Sequence, residues 1–190
     1  MTNKPLSDQI YYPITVGLNN GPPSTDPHLE KQREWDIFFM GAAKYISTHS
    51  KCLSRKIGSV AVIDKMIVAE GYNGPPRGVP VCSTRNMPPN NICPRKALGL
   101  KSGEGLDLCL AEHSESNILA SAARLGIKLK DSSIYIYANI GPCHRCLGSM
   151  INAGIKEIII PECAVSYDNL SDYILKYSDI IIRRIPYEVT

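Results

Sequence analysis

The feature that most constrains this chain is a pair of motifs thirty residues apart, His113-Ser114-Glu115 and Pro142-Cys143-His144-Arg145-Cys146. One imidazole and two thiolates are the donor set of a tetrahedral zinc site that keeps a corner for water, so the fold must carry both motifs to one place. Opening a helix with each motif would do this. Cys143 and Cys146, three apart, can then turn to a common ion, and the helix N-terminus favours their thiolate forms. On its own helix Glu115 projects away from His113, so one side chain can bind the metal while the other reaches the water.

The surrounding pattern supplies those helices. From Glu112 to Leu125 the apolar residues Ile118, Leu119, Ala122 and Leu125 recur at helical spacing, and Gly126 stops them. Ser133 to Ala138 reads as a strand, Cys143 to Ala153 as a helix stopped by Gly154, and Glu157 to Ile160 as a strand. Upstream, Trp35, Phe38, Phe39, Ala42, Ala43 and Ile46 mark a first core helix with Asp26 as N-cap before Pro27. Ile57 to Ile63 and Met66 to Gly71, separated by Asp64-Lys65, form a hairpin. A helix over Leu170 to Tyr177 and a strand over Ile180 to Arg184 complete the list. Residues 1 to 27, with five prolines, read as an extended or disordered arm, and 28 to 190 as one domain.

Composition narrows the partners. A formal charge of +3 on 190 residues gives no footprint for a nucleic-acid polymer, while leaving room for a small anionic ligand. There is no N-terminal apolar stretch of signal-peptide character and no apolar run near eighteen residues, so no membrane partner and a soluble, cytoplasmic protein are expected. Seven cysteines suit metal ligands and spare thiols better than a disulfide framework.

With the two motifs in this order, each beside a strand, the chain resembles the zinc-dependent cytidine deaminase superfamily over roughly residues 30 to 185. Gly71-Tyr72-Asn73-Gly74-Pro75-Pro76-Arg77-Gly78 resembles the GYNGxPxG segment of deoxycytidylate deaminases, and Lys101-Ser102-Gly103-Glu104-Gly105-Leu106 a segment of their bacterial and phage members. The family pattern is His-Ala-Glu, so Ser114 is a departure, one that leaves ligand and acid intact. The resemblance implies a three-layer α/β/α sandwich with a five-stranded mixed sheet. It also implies hydrolysis of dCMP to dUMP and ammonia for thymidylate synthesis. Catalytic zinc would sit on His113, Cys143 and Cys146, with Glu115 moving the protons.

Other roles follow from the same resemblance. Asn73 would contact the sugar or base, unless the Asn-Gly pair is only a tight turn; Ser54 and Arg55 would hold the 5′-phosphate. Relatives are often hexamers activated by dCTP and inhibited by dTTP, with Mg2+ beside the effector, which points to Gly74 and to Arg77, itself otherwise a solvated side chain.

Cys52, Cys82, Cys93 and Cys109 lie in or beside the irregular stretch before the catalytic motif, and a structural zinc on the four thiolates would anchor it; some relatives carry a second zinc, with cysteines at the positions of Cys52 and Cys82. The alternative is buried free thiols. On this reading Cys52 ends the first helix, and Cys163 is left over as a small apolar residue. Three rivals remain. A CxxC redox pair leaves His113 and Glu115 unexplained. A deaminase of cytidine or of adenosine in tRNA needs no GYNGPPRG segment. A zinc-stabilised nucleotide sensor would not need Glu115.

Overall fold

The computed structural model describes residues 26–84, 92–101 and 104–190. Most of the expected arm, residues 1–25, lies outside them, as do Ser102 and Gly103 of the segment that begins at Lys101. Helix α1 spans Pro27–Ser47: the Asp26 carboxylate accepts from the His28 amide at 2.9 Å, and Pro27 occupies the first turn, where no amide donor is needed. The first helix therefore starts at Pro27, with Asp26 as the cap expected from the sequence. The helix also ends at Ser47, so Cys52 stands in the following loop, a correction to the expected helix end.

Strands β1 (Gly58–Ile63) and β2 (Met66–Tyr72) form the expected hairpin. Asp64 and Lys65 both take positive φ, 47° and 62°, the two-residue turn whose twist matches the flanking strands. After β2 the chain makes short turns, including helix α2 (Pro94–Ala97), and enters α3 (Ser114–Leu125), which Gly126 ends at φ 69°. The remainder alternates: β3 (Ser133–Tyr137), α4 (His144–Asn152), β4 (Glu157–Pro161), α5 (Asn169–Tyr177) and β5 (Ile181–Ile185).

Among the described residues these strands make one five-stranded mixed sheet in the order β2-β1-β3-β4-β5. β1 pairs antiparallel with β2 and β3, whereas β3, β4 and β5 run parallel, as strands joined by crossover helices must. Strand alternation divides the core into two layers. Val60, Val62, Tyr135, Tyr137 and Ile159 face Phe39, Met40 and Ala43 of α1. Ala61, Ile134, Ile136, Ile158 and Ile160 face Ile118 and Ala122 of α3 and Leu147 and Met150 of α4, with Ile174 and Leu175 of α5 at the margin. Helices thus cover both faces, the α/β/α sandwich, and the central strands read as apolar runs because both sides are buried.

One polar network ties the α1 layer together. Arg183 of β5 donates to both oxygens of the buried Asp36 carboxylate, at 2.6 and 2.9 Å, and through Nε to Glu157 at 2.8 Å; the Tyr135 hydroxyl donates to Asp36 at 2.7 Å. Among the described residues no helix is long and apolar enough to cross a membrane.

Candidate active site

His113 is the N-cap of α3 and Cys143 the N-cap of α4, both in extended backbone. Helix α3 runs into β3 and α4 runs out of it, so both helix starts meet at the carboxyl end of β3, where open α/β sheets place their ligands. The first turn of α3 is pressed onto β2: a Cβ on Gly71 would meet the Ser114 carbonyl oxygen and the Ile118 amide nitrogen. Asn117 Nδ2 donates to the Tyr72 carbonyl at 2.8 Å, and Gly74 and Glu112 exchange backbone hydrogen bonds at 3.1 and 2.8 Å.

The ligand atoms of His113, Cys143 and Cys146 lie within 4.8 Å of one another. His113 Nδ1 stands 3.5 Å from each sulfur. Zinc bonds of about 2.3 Å to sulfur and about 2.0–2.1 Å to nitrogen, at tetrahedral angles, require an N to S separation of about 3.5–3.6 Å. The residues fit the ion. Donation from the Cys146 thiol, opposed by burial and reinforced by His113, holds Cys143 well below the usual thiol range, and its sulfur also accepts the Cys146 amide at 3.5 Å.

Glu115 sits beside this set, 4% exposed. Burial pushes its carboxyl above the usual carboxylate range, against the downward pull of His113 and of the Ser114 hydroxyl, which donates to Oε2 at 2.8 Å. His113 and Glu115 open into a cleft of about 250 Å³. Ser54, Arg55 and Asn73 line it as well. The Asn73 amide is largely engaged within the protein. Its Oδ1 accepts from Ser50 Oγ at 2.8 Å and from the Ile57 amide at 2.9 Å, and Nδ2 donates to the Arg55 carbonyl at 2.9 Å. It therefore shapes the loop that carries Ser54 and Arg55.

Three lining residues escaped the sequence reading, Arg95, Lys96 and Tyr167, and Lys101 was named there only as the start of a family segment. Three cations in the turn-rich stretch after Cys93 were the available signal. Arg95 Nε donates to the Glu104 carbonyl at 2.6 Å and Nη2 to that of Lys101 at 3.2 Å, folding this stretch over the cleft. Tyr167 packs its ring 5.8 Å from that of His113, a contact no local pattern announces. His144 also has a partner, Asp168, at 3.0 Å.

Of the remaining candidates Cys52 and Cys93 line the cleft, while Gly74 and Arg77 do not. Gly74 is buried and its backbone is engaged by Glu112, while Arg77 is exposed on the turn beyond it. Among the described residues no ligand cluster forms from Cys52, Cys82, Cys93 and Cys109. Each takes its place from its own turn. Cys52 Sγ accepts the Ser54 amide at 3.4 Å, Cys82 opens a 3-10 turn, Cys93 caps α2, and Cys109 leaves the turn Leu106–Leu108 in extended backbone. Cys163 is exposed rather than packed as expected, because the turn after β4 points it outward.

Comparison with known proteins decides the family. Residues 33–162 match the cytidine and deoxycytidylate deaminase zinc-binding region. The chain belongs to that family. Family membership covers both motifs and most of the sheet. A deoxycytidylate deaminase of Mycobacterium phage D29 is 31% identical over 134 residues, covering 68% of this chain and 95% of the relative. The Schizosaccharomyces pombe deoxycytidylate deaminase is 34% identical over 125 residues, covering 66% of this chain. The chain spans only 36% of the length of that relative and 44% of the Saccharomyces cerevisiae one. Among solved structures, the dCMP deaminase of cyanophage S-TIM5 in complex with dCMP and dUMP superposes with a TM-score of 0.58 at 19% identity, covering 85% of this chain and all of that one (100%), a likeness of fold.

Proposed function

We propose that the chain is a zinc-dependent hydrolase that converts dCMP to dUMP and ammonia. The observation that carries this is the buried Glu115 carboxylate beside the His113, Cys143 and Cys146 set, at the floor of a cleft walled by Arg55, Arg95, Lys96 and Lys101. Zinc held by the three ligands supplies the Lewis acidity that makes water nucleophilic near neutral pH. Glu115 takes the proton from that water, passes it to N3 of the cytosine, and assists departure of the C4 amino group as ammonia. Its raised affinity for a proton suits a group that must hold one between the two transfers. The cations pair with the 5′-phosphate, with Ser54 beside them, and Asn73 offers its remaining amide N–H to the sugar or base.

Relatives named deoxycytidylate deaminases, and the dCMP and dUMP bound in the phage structure, support this substrate. We extend the proposal to supply of dUMP for thymidylate synthesis in the cytoplasm. It also covers a homo-hexamer whose dCTP and dTTP effectors, with Mg2+, bind at Gly74 and Arg77, and a second zinc on Cys52, Cys82, Cys93 and Cys109 in the metal-loaded protein. Zinc stoichiometry tests the last directly: two ions per chain support it and one removes it.

The test of the activity is ammonia release from dCMP, dCTP, deoxycytidine and CMP by the zinc-loaded protein. The highest kcat/KM belongs to dCMP. Deoxycytidine falls at least about tenfold lower for loss of charge-assisted phosphate bonds. Silence on all four, with dCTP present and the zinc site filled, defeats the proposal.

A further inference from the structure

Ser59 and Ser114 are both 0% exposed, although neither belongs to the zinc set or to the cleft wall. Ser59 lies in β1 between β2 and β3, paired with Gly71 on one side and Ile136 on the other. Its hydroxyl donates to Ser114 Oγ at 2.6 Å, and Ser114 Oγ donates to Glu115 Oε2 at 2.8 Å.

A serine hydroxyl has one proton to give, and an ionised carboxylate has none. The chain of three groups is therefore satisfied in one direction, from Ser59 through Ser114 to Glu115. It ends on Oε2 of a carboxylate that is also held by its own backbone amide. The relay sits where α3 lies closest to β2, since a Cβ on Gly71 would meet the Ser114 carbonyl and Ile118. An alanine at 114 would strand the Ser59 hydroxyl in a dry site, where an unpartnered polar group is costly.

We propose that Ser114, pinned by Ser59, is a positioning residue that locks the Glu115 carboxylate in one orientation for proton transfer. This rests on the reading of Glu115 as the proton carrier of a deaminase. A serine pair that merely glued α3 to β1 would contribute to stability and leave turnover alone, so the two roles separate in kinetics.

The experiment measures kcat and KM of zinc-loaded wild type, Ser114→Ala, Ser59→Ala, the double variant and Ser114→Thr, on whichever substrate of the panel wild type turns over fastest. Ser114→Ala should lower kcat about tenfold, the worth of one hydroxyl-to-carboxylate bond, with KM within about twofold. Ser59→Ala should lower it by about threefold, and the double variant no further than Ser114→Ala, since the pair acts as a unit. Ser114→Thr, which restores the hydroxyl, should recover most of the loss. The infrared carboxylate band identified by difference against Glu115→Gln should shift in Ser114→Ala, a readout independent of turnover.

Unchanged kcat together with an unmoved band in folded Ser114→Ala overturns the proposal. Should that variant fail to fold, unchanged kcat in Ser59→Ala overturns it instead. A wild type that ignores dCMP but deaminates another member of the panel sinks the substrate reading, and the variant ratios on that member still decide the relay.

Discussion

His113 Nδ1 and Cys143 Sγ stand 3.5 Å apart although thirty residues separate them in the chain, because each is the N-cap of a helix on one side of the same strand. That separation is the edge of a zinc tetrahedron. Replacing either residue, His113→Ala or Cys143→Ser, should remove one equivalent of zinc per chain by metal analysis and abolish deamination. Retention of both zinc and activity in either variant would place the ion elsewhere.

Asp36 and Arg183 join α1 to β5 across the first helical layer, with the carboxylate almost fully buried. Asp36→Ala leaves a largely buried guanidinium with only Glu157 as its acidic partner, a change that costs about 3–5 kcal/mol in buried pairs. Urea unfolding should show that loss. Adding Arg183→Met should return part of it, because the stranded charge is then gone. No change in the single variant would mean that the pair is solvated.

Gly71 carries the contact that sets the height of the catalytic helix. Gly71→Ala must push Ser114 and Ile118 away from β2 and with them Glu115, so melting temperature and kcat should fall together. Gly126→Ala is the control. Its φ of 69° is unfavourable for alanine but nothing lies within 4 Å, so it should lose about 1 kcal/mol of stability and keep its kcat.

Arg95 and Lys96 line the cleft. Neither belongs to the metal set, so Arg95→Ala and Lys96→Ala should raise KM for dCMP while zinc content stays constant. Preference for dCMP over deoxycytidine should shrink by about tenfold per lost phosphate contact. Equal effects on both substrates would mean that these cations only hold the loop.

What was legible in the sequence is what is local. The Asp26 cap, the Asp64-Lys65 hairpin, the Gly126 and Gly154 stops and the two motifs at helix starts each depend on a few neighbouring residues. The zinc donor set His113, Cys143 and Cys146 was legible for the same reason. What was hidden depends on long-range closure. Arg183 finds Asp36 across 147 positions, Ser59 finds Ser114 across 55, and Tyr167 reaches His113 only through the α5 turn. The second zinc proposed on the four cysteines between residues 52 and 109 depends on closure of the same long-range kind, since each sulfur belongs to a separate turn and no ligand cluster forms from them among the described residues.

The most direct test of the central claim is the conversion of dCMP by zinc-loaded protein beside zinc-loaded Glu115→Gln, following dUMP and ammonia together. Equimolar dUMP and ammonia from wild type, with turnover lost in Glu115→Gln while its zinc is retained, is the result expected. Undiminished turnover in Glu115→Gln would contradict Glu115 as the proton carrier, and no product from wild type would contradict the deaminase reading itself.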